Sequence, residues 1–334
     1  MRPITTGILG VGRIGKLHAG ILLRMPGVRL KVVADPFLVP EEWEEIGVAP
    51  SREPASVLED SEIEAVLICS PTPTHAGLIE AAAEAGKHIF CEKPIDLEPD
   101  RVRTTLSVAG KAGVKLQIGF NRRFDPTFSR LRQAVVDGEI GDLHLLKIVA
   151  RDPAPPPIEY VQSSGGMFLD MTIHDFDMVR FLSGAEVEEV QAFGAVLIDS
   201  AIGEAGDVDT AVVVLKLTNG ALAVIENSRQ AVFGYDQRIE VFGSRGGIEA
   251  LNEVPVQVHR RMEAGVRSEN PHYFFLERYR QAYVAELEAF ISCIQEDRDP
   301  PVSGRDGLIN LLIGVAATTS MRENRPIRVE VPSP

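Results

Sequence analysis

Three ionisable side chains that could carry out proton transfer stand close together near the middle of the chain. Asp170, His174 and Asp177 occupy positions i, i+4 and i+7 of the run MFLDMTIHDFDMVRFL, so a helix would place them on one face. An imidazole titrates near neutral pH, and a neighbouring carboxylate can orient it. The same spacing also fits a buried histidine that merely pairs with a helix neighbour, which is the commoner role of such a pattern. The rest of the sequence decides between these two interpretations.

The helix that would carry these side chains has recognisable ends. Gly165-Gly166 opens it and Gly184 follows its last apolar residues, which predicts roughly a dozen helical residues. Apolar residues away from the acidic stripe can anchor this helix in a core: Phe176, Val179 and Leu182.

The N-terminus carries the pattern of a dinucleotide-binding turn. Gly10-Val11-Gly12-Arg13-Ile14-Gly15 lies between a predicted strand, 4–9, and a predicted helix, 14–25, and a second predicted strand ends at Asp35. Gly10 permits the tight turn, Gly12 lets a pyrophosphate approach the backbone, and Gly15 lets helix and strand pack closely. The helix N-terminus offers N–H groups to the phosphates, and Asp35 can accept hydrogen bonds from both ribose hydroxyls. The pattern predicts NAD as the cofactor, with these residues in its site: Gly10, Gly12, Arg13, Ile14, Gly15 and Asp35.

Strand and helix patterns alternate as far as residue 120, which predicts a doubly wound parallel sheet. Ligands bind outside the carboxyl ends of such strands, where several residues of this chain lie: Gly12, Asp35, Thr72, His75, Lys93 and Asn121. Lys93, next to Pro94, could hydrogen-bond a substrate hydroxyl and the ribose together, or it could be a plain surface lysine. His75 is either close to the cofactor or a neighbour of a helix cap.

Beyond residue 120 the pattern changes. Strand-like runs with hairpin turns such as Asn219-Gly220 predict a largely antiparallel sheet, so this half is α+β. The predicted strands are 142–151, 187–198, 210–217, 221–228, 238–242 and 256–260, and two closing helices are predicted over 273–295 and 304–323. Residues 198–207 are expected to form a mobile loop. The predicted domains are therefore 1–120 and 121–334.

Composition excludes several classes of function. The 334 residues suffice for two domains, and the net charge of −14 argues against nucleic acid or an anionic membrane as the main partner. Cys69, Cys91 and Cys293 include no Cys-x-x-Cys pair, so neither a disulfide framework nor a metal site is predicted. No apolar stretch is long enough to span a membrane and no signal-peptide pattern follows Met1, so we expect a cytoplasmic protein.

Taken together, GVGRIG, Asp35, SPTPTH, EKP, GFNRRFD and GGMFLDMTIHDFDMVRFL resemble the Gfo/Idh/MocA family of nicotinamide-dependent oxidoreductases. The resemblance runs from about residue 4 to residue 329. It implies an NAD-binding Rossmann domain, then an α+β domain with an open sheet that binds substrate and assembles the protein, often as a homotetramer. EKP and the D-x-x-x-H helix are specific to the family in combination. The NRRFD and MTIHDFDM segments indicate its inositol branch.

The resemblance also assigns roles to individual residues. The family's catalytic lysine falls on Lys93, and its aspartate and histidine fall on Asp170 and His174. The cofactor site implied by these motifs adds Ser70, Thr72, His75, Glu92, Lys93 and Asn121. Further substrate contacts of the inositol branch fall on Arg123, Asp177 and Tyr235. The segment Arg151-Asp152-Pro153 lies where substrate contacts vary between branches, so substrate identity is open there.

The resulting hypothesis is NAD-dependent oxidation of myo-inositol at C2 to the 2-keto product, scyllo-inosose. His174 would be the general base, Lys93 would donate a hydrogen bond to the same oxygen, and Asp170 would orient the imidazole. One alternative is the same chemistry on another inositol isomer, an aldose or a keto-sugar. A second is a ligand-sensing regulator without chemistry. Such a protein could dispense with the lysine and the histidine, so the presence of Lys93, Asp170 and His174 together counts against it.

Overall fold

The computed structural model describes residues 2–331, which form two compact units. The first unit comprises the chain up to Phe120 together with Tyr283–Ile309, and the second comprises Asn121–Ala282 and the chain from Asn310. The sequence-based division also falls after residue 120, but it assigns everything beyond that point to one domain. The structure differs for residues 283–309, which pack with the first unit.

Strands and helices alternate in the N-terminal part of the chain, and most strands of the later part belong to a second sheet. The N-terminal elements are β1 (Ile4–Leu9), α1 (Arg13–Leu22), β2 (Val28–Ala34), α2 (Pro40–Glu44), β3 (Ala49–Ser51), α3 (Ala55–Leu58), β4 (Ala65–Ile68), α4 (His75–Glu84), β5 (His88–Cys91), α5 (Pro99–Ala112) and β6 (Leu116–Ile118). The later elements are α6 (Pro126–Val136), β7 (Leu143–Arg151), α7 (Ile158–Ser164), α8 (Ile173–Ser183), β8 (Val187–Ala195), α9 (Ser200–Glu204), β9 (Thr210–Leu217), β10 (Leu222–Ser228), β11 (Asp236–Gly243), β12 (Gly246–Ala250), β13 (His259–Met262), β14 (Gly265–Ser268), α10 (Phe275–Arg278), α11 (Arg280–Gln295), α12 (Gly304–Glu323) and β15 (Ile327–Arg328). Tight 3-10 turns cover Thr72–Thr74 and Asn121–Phe124, and a π turn covers Met167–Met171.

The first unit is built on a parallel sheet in the order β3-β2-β1-β4-β5-β6. Its central strand β4 is buried along its whole length, as expected when helices cover both faces of a sheet. The strand order reverses between β1 and β4, and in sheets of this kind the reversal point is where nucleotides bind. The predicted doubly wound sheet is confirmed.

The segment Tyr283–Ile309 covers the edge strand β6 of this sheet. The Ile118 N–H donates to the Val302 carbonyl at 3.1 Å, and the Gln117 side-chain amide donates to the Glu286 carbonyl at 2.9 Å. These bonds satisfy polar groups that an uncovered edge strand would expose. The segment therefore belongs to the first unit although it lies far along the chain.

The second unit contains a sheet in the order β12-β11-β7-β10-β9-β8-β15. The neighbours β7 and β10 run parallel, and the other pairs are antiparallel. Along β9, Val213 and Leu215 are buried whereas Val212 and Val214 are exposed, so the two faces of the sheet differ. The predicted α+β unit with a largely antiparallel, open sheet is confirmed.

Three local predictions after residue 190 are wrong. Helix α9 replaces the predicted mobile loop, because Asp199 accepts a hydrogen bond from the N–H of Ala201 and Asp209 accepts three more from residues 197–199. The predicted strand 256–260 is displaced: β13 begins only at His259, and it pairs with β14 in a hairpin that is separate from the main sheet. The predicted helix 273–295 is interrupted at the buried Tyr279, which separates α10 from α11.

Candidate active site

The glycine turn after β1 has the geometry of a phosphate cradle. Gly10 has a φ of +92°, and a Cβ there would lie 2.5 Å from the backbone nitrogen of Ser70. A Cβ on Gly15 would lie 2.1 Å from the Gly10 carbonyl oxygen. Nothing lies within 4 Å of a Cβ on Gly12, so the space beside that residue is open. With Arg13 and Ile14 beginning α1, this turn presents open backbone at a helix N-terminus, which suits a pyrophosphate.

The carboxylate of Asp35 is fixed against this turn. Its Oδ2 accepts a hydrogen bond from the Val11 N–H at 2.9 Å, and its Oδ1 accepts one from the Phe37 N–H at 2.8 Å. The side chain is half-buried. Each oxygen keeps a further lone pair, so the anchored carboxylate can still accept ribose hydroxyls.

His75 joins the loops that follow β4 and β5. Its Nδ1 lies 2.7 Å from the Pro94 carbonyl oxygen and its Nε2 lies 2.7 Å from the Ser70 carbonyl oxygen. Burial lowers the pKa of His75, and the two carbonyl acceptors oppose that shift. Both ring nitrogens are thus engaged by the protein, so His75 can serve cofactor binding only through the loops that it joins. Those loops also carry Thr72 and Lys93, both half-buried.

The predicted cofactor residue Glu92 has a protein partner instead of an open carboxylate. Its Oε1 lies 2.8 Å from Nε2 of His18, a fully buried histidine of α1 that sequence reasoning missed. The ring of His18 packs edge-on against Phe90 at 5.2 Å between centroids. The pair ties α1 to the end of β5, directly before Lys93.

In the second unit, the segment with Asp170 and His174 is helical but not regular. The N–H of Thr172 donates to the Met167 carbonyl five residues earlier, at 2.9 Å, which makes the first turn a π turn. The N–H of Met167 in turn donates to the carboxylate of Asp207 at 3.0 Å. The prediction of one regular helix is wrong for this turn, because these contacts stabilise a turn that contains one residue more than a regular α-helical turn. Asp170 lies in the π turn and His174 in the first turn of α8.

Both carboxylate oxygens of Asp170 are held by side chains from other elements. The Tyr160 hydroxyl of α7 donates to Oδ1 at 2.8 Å, and Nη1 of Arg229, just after β10, lies 3.3 Å from Oδ2. The same Nη1 lies 3.4 Å from Oδ2 of Asp152, just after β7. Partial burial raises the pKa of Asp152 to about 6, and Arg229 opposes that shift.

Two adjacent arginines each bind one acid of the H-D-F-D run. Arg122 Nη1 donates to Asp175 at 2.6 Å, and Arg123 donates from Nε to Asp177 at 2.8 Å and from Nη2 at 2.5 Å. Asn310 adds a third hydrogen bond to Asp177 at 2.8 Å. The carboxylates are buried. Arg123 and Asp177, both predicted to bind substrate, therefore bind each other, and their contact with substrate stays a prediction.

The two remaining predicted residues, Tyr235 and Asn121, are also buried in the second unit. The Tyr235 hydroxyl lies 3.5 Å from Nη2 of Arg122, and its ring meets Tyr279 edge-on at 6.0 Å. Burial raises the pKa of the Tyr235 hydroxyl well above its usual value, so the phenol is a neutral hydrogen-bonding group. The side-chain nitrogen of Asn121 has no hydrogen-bond partner among residues 2–331.

Comparison with known proteins shows to which family the chain belongs. Residues 4–120 match the oxidoreductase family with an NAD-binding Rossmann fold, and residues 128–249 match the GFO/IDH/MocA C-terminal domain. The chain is 50% identical to a Thermotoga maritima protein named myo-inositol 2-dehydrogenase, over 97% of this chain and 98% of that one. The chain belongs to the GFO/IDH/MocA family.

Other members of the GFO/IDH/MocA family are similar over nearly the whole length. An inositol 2-dehydrogenase of Rhizobium meliloti is 48% identical over 97% of this chain and 98% of its own. The crystal structure of a Lactobacillus casei scyllo-inositol dehydrogenase, with bound NAD(H) and scyllo-inositol, has a TM-score of 0.91 at 31% identity, covering 98% of this chain and 99% of that one. Family membership confirms an NAD-binding Rossmann fold in the first unit.

Several residues of this GFO/IDH/MocA site were missed by sequence reasoning, and the signals for them differ. Arg122 and Asp175 adjoin residues that the motifs N-R-R and H-D-F-D single out, but nothing in the sequence indicates that the two pair with each other. Tyr160 and Arg229 lie in segments without a motif, so only the fold reveals them. Among residues 2–331, no helix is long and apolar enough to cross a membrane, and no cluster of His, Cys, Asp and Glu could hold a metal ion.

Proposed function

We propose that this chain oxidises myo-inositol at C2 to scyllo-inosose with NAD⁺ as the hydride acceptor. The observation that carries the proposal is the pair Asp170 and His174, held on one helical segment of a chain 50% identical to a myo-inositol 2-dehydrogenase. An imidazole with a carboxylate fixed one turn away is the arrangement that general base catalysis needs.

The proposed roles follow from the chemistry of each side chain. His174 takes the proton of the reacting hydroxyl, and Asp170 stabilises the imidazolium that results. The family resemblance assigns to Lys93 a hydrogen bond to the same oxygen, which favours developing alkoxide character. When bound, NAD⁺ supplies the acceptor for the hydride. Its phosphates would be held at the open turn of Gly12 and its ribose at Asp35.

The substrate assignment is tested by measuring NADH formation with a panel of myo-, scyllo- and D-chiro-inositol, glucose and galactose. We expect myo-inositol to give the highest kcat/KM, because a site built to pair ring hydroxyls rejects analogues that leave its polar groups unpaired. The second candidate is scyllo-inositol, favoured by the structural similarity to the Lactobacillus casei enzyme. If an aldose gave the highest value and myo-inositol none, the inositol assignment would fall while the dehydrogenase assignment stood.

Cofactor preference provides a further prediction. We expect NAD⁺ to exceed NADP⁺ in kcat/KM by at least ~100-fold, on the order of 3 kcal/mol. Two backbone N–H groups fix the carboxylate of Asp35, so it cannot swing aside to admit a 2′-phosphate, which it would repel. Steady-state kinetics with both cofactors, for the wild type and Asp35→Ala, measure this preference. Equal use of both by the wild type would show that Asp35 does not lie at the ribose.

We also propose that the chain forms a homotetramer through the sheet of the second unit. Its outward face carries exposed apolar side chains on neighbouring strands, namely Leu145, Phe193, Val212, Val214, Leu222 and Phe242. Apolar surface of this kind marks interaction sites. Light scattering after size exclusion should give the mass of four chains, and Phe193→Lys with Val212→Lys should lower it. Leu23→Lys, which changes an exposed apolar residue of the first unit, should leave the mass unchanged.

A further inference from the structure

Arg229 is a buried cation that lies outside every motif found in the sequence. Its side chain is 3% exposed, and its backbone N–H donates to the Asp209 carbonyl at 2.8 Å, which fixes the residue where the chain leaves β10. One nitrogen, Nη1, lies within 3.4 Å of both Asp152 and Asp170. A single guanidinium therefore serves two carboxylates that come from different elements.

The second support of Asp170 comes from the opposite oxygen. The Tyr160 hydroxyl donates to Oδ1 at 2.8 Å while Arg229 contacts Oδ2. Partial burial raises the pKa of Tyr160, and the negative charge of Asp170 raises it further, so this hydroxyl keeps its proton and remains a donor. With a donor on each oxygen, the carboxylate of Asp170 is held in one orientation on the π turn that leads into His174.

The charge balance of this cluster depends on Arg229. The carboxylates of Asp152 and Asp170 both face its guanidinium, and the negative charge of Asp207 also stabilises the charged form of Arg229. Arg122 is a more distant cation, whose charge favours the ionised form of Asp152. Two carboxylates this close to one another disfavour each other's ionised forms unless a cation lies between them. Loss of Arg229 would therefore make Asp170 easier to protonate.

We infer that Arg229 is a positioning residue for the proposed oxidation, keeping Asp170 ionised and correctly oriented for His174, while Asp152 competes for the same guanidinium. The inference rests on the proposed function, because it assigns Arg229 its effect through Asp170 and His174. It predicts that the acid limb of the pH profile of kcat moves in opposite directions when Arg229 is removed and when the charge of Asp152 is removed.

The test compares Arg229→Met, Arg229→Lys and Asp152→Asn by the pH profile of kcat and by KM for myo-inositol. In Arg229→Met we expect kcat to fall about tenfold to a hundredfold, the loss associated with a hydrogen bond to a charged group. The acid limb of its profile, which follows loss of the proton from the base, should move to higher pH, because removing the guanidinium charge favours the protonated forms of both His174 and Asp170. Arg229→Lys should move the limb less, since it keeps the charge but not the planar fork.

Asp152→Asn should move the acid limb to lower pH, because it removes the competing negative charge. This variant keeps the inference testable if Arg229→Met does not fold. The inference is overturned if Arg229→Met folds with an unshifted profile, if Arg229→Lys moves the limb as far as Arg229→Met does, or if Asp152→Asn moves the limb upward. A loss of thermal stability without a change of profile would make Arg229 purely structural, which also overturns it.

Failure of this inference can be told apart from failure of the proposed function. If His174→Ala is inactive on myo-inositol but the Arg229 variants keep the wild-type profile, only the inference about Arg229 fails. If the wild type does not oxidise myo-inositol or any polyol of the panel, the proposed function itself fails.

Discussion

Replacing His174 by alanine is expected to lower kcat by ~10²–10⁴-fold, the usual contribution of one acid–base group. The imidazole is half-buried in the first turn of α8, one turn after an aspartate whose two oxygens are both held. Alanine removes the imidazole that is proposed to accept the proton of the reacting hydroxyl. Because the proposed phosphate and ribose contacts, at Gly12 and Asp35, lie in the first unit, the dissociation constant for NAD⁺ should change little.

Steady-state kinetics and fluorescence titration with NAD⁺ measure these two quantities separately. The wild-type rate should rise with pH through neutrality, since the base must be unprotonated, and His174→Ala should lose that rise. His259→Ala is the matched control, because His259 lies in the exposed β13–β14 hairpin. Nearly full activity of His174→Ala would make His174 a structural histidine.

Replacing Asp175 by asparagine is expected to lower the free energy of unfolding by about 3–5 kcal/mol, the usual cost of removing one partner of a buried ion pair. The side chain of Asp175 is 0% exposed and that of Arg122 is 5% exposed, with 2.6 Å between Oδ1 and Nη1. Asn227 donates to the other carboxylate oxygen at 2.8 Å. Asparagine would leave the Arg122 guanidinium buried without its counter-charge. It would also place a second side-chain amide opposite that of Asn227, where a carboxylate now accepts the hydrogen bond.

Chemical denaturation followed by circular dichroism measures this loss. Asp100→Asn is the control, because it breaks an exposed pair with Arg103 whose acid is 98% exposed, and such pairs contribute little. If both variants unfold at the same denaturant concentration, the Arg122–Asp175 pair does not stabilise the second unit.

Features that depend on nearby residues were predictable from the sequence. The glycine turn was one of them, since the positive φ of Gly10 and the close approach of Gly15 to the Gly10 carbonyl oxygen both arise within the turn itself. Helix α12 was another, because its N-terminus is set by hydrogen bonds between Ser303 and Asp306 and its end by Asn324 at a φ of +50°. In each case the deciding contacts are local, and the residue types alone reveal them.

Features that depend on distant segments were not predictable. The π turn is accommodated by the carboxylate of Asp207, forty residues beyond Met167, and by Thr172, whose hydroxyl lies 2.7 Å from Asn227 Oδ1. Likewise the partners of Arg123 and of Glu92 are fixed by tertiary packing. The sequence therefore indicated the site residues by type, but not which of them bind each other.

The return of Tyr283–Ile309 to the first unit has a consequence for biosynthesis. A ribosome that has released the chain up to Phe120 has supplied every strand of the parallel sheet, but not the residues that cover β6. At ~5–20 residues per second, the missing segment emerges roughly ten to forty seconds later. During that interval the nascent Rossmann sheet exposes an edge strand to other chains and to chaperones. A fragment ending at residue 120 would keep that edge permanently, so the cofactor-binding unit should be produced only as part of the full chain.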